Sequence, residues 1–117
     1  MLADDSKVLR QAIRRCMEGH SEITLVGEAH DFSEAVRFAE RLRPDVVLLD
    51  LRMNDSQGLD ALAASPKLIS AGATIVATSF SIDDDAKALA KQIGAIKLLD
   101  KLSLYSELIP TILELKK

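Results

Sequence analysis

The sequence predicts an α/β domain, a (βα)5 three-layer sandwich around a parallel sheet. Three observations lead there. Short β-branched runs alternate along the chain with segments of helical periodicity. One of those runs, residues 45–50, is apolar almost throughout, which implies burial on both faces as in a parallel sheet. The length, 117 residues, suits a single domain spanning residues 1–117. Alternation of this kind places helices on both faces of the sheet through right-handed crossovers. A ligand site then lies at the carboxyl ends of the strands.

The elements follow in order. Residues 1–3 are a first strand cut to a stub. Ser6 is a candidate N-cap for a helix over residues 7–18, with Val8, Leu9, Ala12, Ile13, Cys16 and Met17 on one face. Cys16 therefore reads as core. Residues 23–27 read as the second strand. Asp31-Phe32-Ser33-Glu34 resembles a capping box with Asp in the Ser/Thr place. It opens a helix with Phe32, Ala35, Val36 and Ala39 on one face, and Pro44 closes that region. Residues 45–50 form the third strand. Residues 58–64 form a short helix with Pro66 near its end. Residues 73–78 are the fourth strand. Asp83-Asp84-Asp85 stands at the positive end of a helix running through Ile93, and Gly94 fits its C′ position. Residues 96–99 are the fifth strand, and the last helix covers residues 104–116. Pro110 leaves two options there: Ser106 caps the helix and Pro110 falls in its first turns, or the helix kinks.

Composition removes several function classes. Apolar residues at 48% can offset the entropy of ordering, which argues against disorder. The longest apolar run, residues 46–49, falls far short of the roughly 18 needed to span a bilayer. Asp4 and Asp5 stand where a signal peptide carries cations, so a cytoplasmic location with no membrane partner is expected. The single cysteine excludes an internal disulfide and a Cys-based zinc site. A net charge of −3 and scattered aromatics, Phe32, Phe38, Phe80 and Tyr105, offer neither a basic footprint nor a stacking platform for direct nucleic-acid binding. His20 and His30 have no evident partner and read as exposed loop residues.

The strand ends carry the chemistry. Asp4 and Asp5 follow the first strand and Asp50 ends the third. Ser79 follows the fourth, and Lys101 follows the fifth. Singly, each has a plainer reading: helix-start acids, a turn aspartate, a loop serine, a surface lysine. The predicted topology brings them to one rim. Carboxylates gathered there repel one another and attract a cation, and oxygen-only ligands select Mg2+ or a similar hard ion. A lysine and a hydroxyl beside that ion suit a phosphoryl group, whose transfer depends on charge neutralisation and positioning. A carboxylate so placed can itself be the nucleophile and form an acyl phosphate.

In these residues the sequence resembles the receiver domain of two-component response regulators, the flavodoxin-like fold of the bacterial chemotaxis regulator. The matching stretches are Leu-Ala-Asp4-Asp5-Ser and Val-Val-Leu-Leu-Asp50-Leu-Arg-Met-Asn. Gly58 lies eight residues after Asp50, Ser79 lies 15 before Gly94, and Lys101 lies seven after it. The resemblance implies strand order 2-1-3-4-5 and a phosphorylation-controlled switch of a phosphorelay. Asp50 would take phosphate from a sensor histidine kinase or a phosphotransfer protein. Asp5, Asp50 and the backbone carbonyl of Arg52 would hold Mg2+, with Asp4 acting through a water. Ser79 and Lys101 would each meet a phosphoryl oxygen. Arg52 and Ser81, two residues after Asp50 and Ser79, would flank attacking water and tune dephosphorylation. An output domain or protein, and a second copy as homodimer partner, fit the same family. Such a domain is not an enzyme beyond its own phosphorylation and dephosphorylation.

Departures from the family pattern accompany the match. Asn54 stands where proline is common, and Asn tolerates turn conformations. Leu98 replaces an aromatic residue that swings inward on activation. Leu102 follows Lys101 in place of a proline often cis, so a trans bond is expected. The first strand lacks several residues before the acid pair. Competing classes fit less well. An Asp-nucleophile phosphatase of the haloacid dehalogenase type needs a second Asp at the place of Arg52. A flavin carrier needs a hydroxyl-rich phosphate loop where Ser6-Lys7 stand. A phosphorylation-independent interaction module on the same fold is the open alternative: the intact Asp5, Asp50, Ser79 and Lys101 argue against it, and Leu98 in the aromatic's place argues for it.

Overall fold

The computed structural model describes residues 1–55 and 58–115. Five parallel strands form one sheet in the order β2-β1-β3-β4-β5. They are β1 (Leu2–Ala3), β2 (Glu28–Ala29), β3 (Val46–Asp50), β4 (Thr74–Ser79) and β5 (Lys97–Asp100). The helices are α1 (Lys7–Glu18), α2 (Phe32–Leu42), α3 (Leu59–Ser70), α4 (Asp84–Gln92) and α5 (Leu104–Leu115). The fold class and strand order are those the sequence predicts, with the first strand short.

The period-two alternation of the strands sorts their side chains into two cores. Val47, Leu49, Ile75 and Ala77 face a layer built by Phe32, Ala35 and Ala39 of α2, Ala61, Ala64 and Leu68 of α3, and Ala86, Leu89 and Ala90 of α4. Leu48 and Val76 face the other layer, with Ile13 and Met17 of α1 and Leu104, Leu108 and Ile109 of α5. The alanines on the first side leave little side chain between helix and sheet.

The helix starts are set locally. The Ser6 hydroxyl accepts from the Leu9 amide at 3.2 Å and caps α1. Asp31 caps α2 through the Glu34 amide at 2.7 Å. The returning arm of that box reaches one residue further out than expected, since Glu34 accepts from the His30 amide at 3.1 Å. His30 is therefore not partnerless: its Nδ1 lies 2.6 Å from Glu34. Desolvation raises the Glu34 carboxyl, but the side-chain and backbone hydrogen bonds and the charge of His30 together outweigh it and hold it below its ordinary value. Gly94, at φ 77, follows the last residues of α4 as expected.

Several expectations need correction. The second strand is Glu28–Ala29 and not residues 23–27. Its ladder partner is the two-residue β1, paired Leu2 to Glu28 and Ala3 to Ala29, so earlier residues have little to pair with. Ile23 and Leu25 still pack against the α1/α5 core while Thr24 and Val26 are exposed. Helix α3 extends to Ser70 with Pro66 inside it. Pro66 has no N–H for the Leu62 carbonyl, and the Ser65 hydroxyl donates to that carbonyl instead at 3.3 Å. Helix α5 begins at Leu104, so Ser106 is not its cap, and Pro110 lies within it. The predicted final residue Lys116 falls outside the described residues. Cys16 is half-buried at the edge of the core, and Val8 is 77% exposed.

Two truncations check this partition. Leu49→Ala, at a site with no exposure, is expected to cost about 2–5 kcal/mol in urea unfolding. Val8→Ala is expected to change stability by less than about 0.5 kcal/mol. Comparable losses at the two positions would return Val8 to the core.

Candidate functional site

Parallel strands deliver their carboxyl ends to one edge. Asp50 is the last residue of β3, and in register it pairs with Thr78, one before Ser79. Ser79 pairs with Asp100, one before Lys101. Ala3 pairs with Leu49, so Asp4 and Asp5 emerge beside Asp50. Carboxylate oxygens of Asp4, Asp5 and Asp50 lie within 4.8 Å of one another.

Lys101 sits among them. Its Nζ is 2.8 Å from Asp4 Oδ2 and 2.8 Å from Asp50 Oδ2. Asp4, Asp50 and Lys101 are all buried, while Asp5 is exposed. Burial pushes the Asp50 carboxyl up, and the hydrogen bond and charge of Lys101 only partly offset it. Burial likewise pulls Lys101 down, but the hydrogen bonds and charges of two carboxylates outweigh it and hold the ammonium above its ordinary value. One cation shared by two acids thus leaves the cation well satisfied and Asp50 less so.

Backbone donors fix each acid. Asp4 Oδ1 accepts from the Ser6 amide at 2.8 Å, Asp50 Oδ1 from the Arg52 amide at 3.1 Å, and Asp5 Oδ2 from the Asn54 amide at 2.8 Å. Asn54 is left-handed, at φ 59 and ψ 37, the turn conformation its residue type allows. Arg10 of α1 donates to the Asp4 carbonyl at 2.6 Å, and Glu28 of β2 holds both Arg10 and Arg14. Gly58, at φ 95, carries the loop past Leu89, whose Cδ2 would lie 2.8 Å from any Cβ there.

Ser79 points into its own loop. Its hydroxyl donates to the Ser81 carbonyl at 2.9 Å and accepts from the Ser81 amide at 3.2 Å. The Ser81 hydroxyl in turn donates to Asp83 at 3.1 Å. The Ala86 amide chiefly holds Asp83 below the usual carboxylate range, helped by the Ser81 hydroxyl and by the charge of the exposed Arg52. Leu98 is half-buried against the larger core, and no described peptide bond is cis, so the bond after Lys101 is trans. Three contacts have no counterpart in the sequence reading: the Asn54 amide on Asp5, Arg10 on the Asp4 carbonyl, and the Phe80 ring, whose centroid lies 4.8 Å from Lys101 Nζ. Each joins residues without a local motif between them.

The chemistry of the donor set suits a metal ion. Three carboxylates against one ammonium leave a surplus of negative charge, and every donor is oxygen, as a hard dication requires. The residues fit such an ion.

This fold and rim define a receiver domain. The family model described as the response regulator receiver domain matches residues 1–113, and the chain belongs to that family. It is 38% identical over 108 residues to the transcriptional regulatory protein LiaR of Bacillus subtilis, covering 92% of this chain and 51% of that protein. It is 32% identical to a protein-glutamate methylesterase/protein-glutamine glutaminase of Pyrococcus horikoshii, covering 86% of this chain and 27% of that one. The chain thus spans about half, or less, of the length of these relatives. Among solved structures, the signal receiver domain of NarL from Mycobacterium tuberculosis superposes with a TM-score of 0.83 at 26% identity, over 97% of this chain and 91% of that one. A LuxR-family response regulator from Aurantimonas sp. SI85-9A1 gives 0.84 at 27%, over 98% and 81%. No described helix is long and apolar enough to cross a membrane.

The geometry yields two predictions. Asn54→Pro, although proline is frequent at this place in the family, is expected to destabilise by more than about 1 kcal/mol, since proline cannot adopt φ 59 and removes the donor to Asp5. Thermal unfolding measures it, and an unchanged midpoint would contradict the observed loop. The second concerns pH. The folded-state value of Asp50 is raised, so its ionisation costs stability as pH climbs through 3.8 toward that value. In EDTA, Asp50→Asn is therefore expected to be more stable than wild type at pH 7 and equal to it near pH 3. A less stable variant at pH 7 would reverse the sign.

Proposed function

We propose that this domain is a phosphorylation-controlled signalling switch that accepts a phosphoryl group on Asp50 with Mg2+. The observation that carries the reading is the Asp50 carboxylate at a strand end, 2.8 Å from a buried ammonium and grouped with two further carboxylates. Asp5, Asp50 and the Arg52 carbonyl are the residues that would hold Mg2+, with Asp4 through a water. The ion, when bound, supplies positive charge that lets an anionic carboxylate meet an anionic phosphoryl group.

An Asp50 oxygen attacks phosphorus, the bond from phosphorus to the donor's leaving atom breaks, and an acyl phosphate remains. Lys101 neutralises one phosphoryl oxygen. The Ser79 hydroxyl donates to another, which requires it to leave the Ser81 carbonyl. The donor class is a phosphohistidine on a sensor kinase or phosphotransfer protein, and the output lies in a further domain or a separate protein. LiaR is a transcriptional regulatory protein of which this chain matches about half, an arrangement that supports an output unit beyond the receiver.

Intact-mass spectrometry with acetyl phosphate tests the reading. Wild type is expected to gain one phosphate, with acetate released, only when Mg2+ is present. Chelator and Asp50→Asn each abolish the adduct, while Lys101→Ala keeps metal binding and impairs the switch. An adduct on Asp50→Asn, or none on wild type with any donor or kinase, would sink it. A second expectation concerns the lifetime of the adduct. Arg52 and Ser81 flank the place where water attacks, and Arg52 is long enough to screen it. Arg52→Ala and Ser81→Ala are expected to change the acyl-phosphate half-life severalfold, and unchanged half-lives in both would remove the rate-tuning role.

A further inference from the structure

We propose that Phe80 is an access-determining residue for Asp50: its ring is seated on the Lys101 ammonium and obstructs the approach to the phosphorylation site. The inference rests on the reading of Asp50 as phosphoacceptor and names a residue that governs which donors reach it. An ammonium has three N–H donors. Two are used by Asp4 and Asp50, each at 2.8 Å. The face of Phe80, with its centroid 4.8 Å from Nζ, is placed to meet the remaining positive edge. The Lys101 side chain is only 3% exposed whereas Phe80 is 63% exposed, so the ring is the outer of the two. A large apolar residue in water needs a reason to stay over a charged rim, and the cation beneath it is that reason.

The ring is also tied to the hydroxyl that must respond to phosphate. Phe80 stands between Ser79 and Ser81, which are clasped by two hydrogen bonds through the Ser79 hydroxyl. A phosphoryl oxygen on Asp50 draws the donor of Ser79 away from the Ser81 carbonyl and draws Lys101 toward itself. Both supports of the ring, the clasp and the ammonium, are then lost together. Before phosphorylation the ring slows the approach of small donors. A protein donor that docks on the rim can push it aside with contacts a small anion lacks.

Two assays test this. In a Cys16→Ser background, Asp50→Cys is alkylated with iodoacetamide, with Phe80 present or changed to Ala or Leu. Alkylation is expected to rise severalfold in Phe80→Ala, and Phe80→Leu, which keeps bulk but lacks a ring face, is expected to resemble Phe80→Ala. This readout needs no phosphorylation. In the natural Asp50 background with Mg2+, labelling by acetyl phosphate is expected to accelerate severalfold in both Phe80 variants. Alkylation rates within twofold across all three forms overturn the inference. Leucine behaving like phenylalanine overturns the seat on Lys101. Faster alkylation with no labelling of any form, by acetyl phosphate or by a phosphohistidine donor, would support the obstruction and refute Asp50 as acceptor.

Discussion

Two buried carboxylates share one buried ammonium, and the order of the rim follows from that sharing. A lone carboxylate at the exposure of Asp4 or Asp50 would carry a desolvation cost of several kcal/mol. Lys101, 2.8 Å from both, offsets much of it. The offset is unequal. Lys101 gains from two anions and stays above its ordinary value, whereas Asp50 gains from half a cation and feels the repulsion of Asp4. Asp50, at the end of the central β3, is thus left short of compensating charge. A group in that condition is receptive to added positive charge.

Strand order makes the sharing possible. β1 lies directly beside β3, so the acid pair after β1 opens next to Asp50. β5 lies two places from β3, with β4 between them. A cation arriving from β5 must therefore reach over the end of β4, which a four-carbon lysine stem can do. The residue it passes is Ser79, at the end of the strand being crossed. Hydroxyl, ammonium and carboxylates are consequently collected by topology, with few contacts near in sequence.

That dependence explains what could be read from the sequence. The elements with local determinants were legible: Ser6 and Asp31 as caps, Asp83 at the start of α4, Gly94 at its end, and the apolar β3. The placing of Asp4, Asp5, Asp50, Ser79 and Lys101 on one rim was legible too, because a parallel sheet converts order along the chain into position in space. The second strand was not, since strand assignment depends on a partner and the two residues of β1 reach only Glu28 and Ala29. Helix α3 outran its prediction because Ser65 supplies the donor that Pro66 lacks. Val8 showed the helical period of its neighbours, but the period says nothing about how wide a stripe the sheet covers. Phe80 and Lys101 are separated by a helix and a strand, and no spacing rule joins an aromatic to a cation at that distance.

The backbone is where a change of charge at the rim is felt. Each acid holds an amide of a loop: Ser6 for Asp4, Arg52 for Asp50, Asn54 for Asp5. The Asn54 bond crosses from the loop after β3 to the acid after β1, so a carboxylate fastens these loops together, beside the apolar anchoring of Leu51 and Met53 in the core. Amide-to-carboxylate bonds are charge-assisted and weaken when the acceptor loses charge or turns to another partner. Apolar contacts carry no such dependence. The core beneath, filled by Val47, Leu49, Ile75 and Ala77, is therefore indifferent to the state of the rim. The loops above it are not, and the division between a charge-blind core and charge-fastened loops lets a local event at Asp50 alter the surface while the sheet stays as it is.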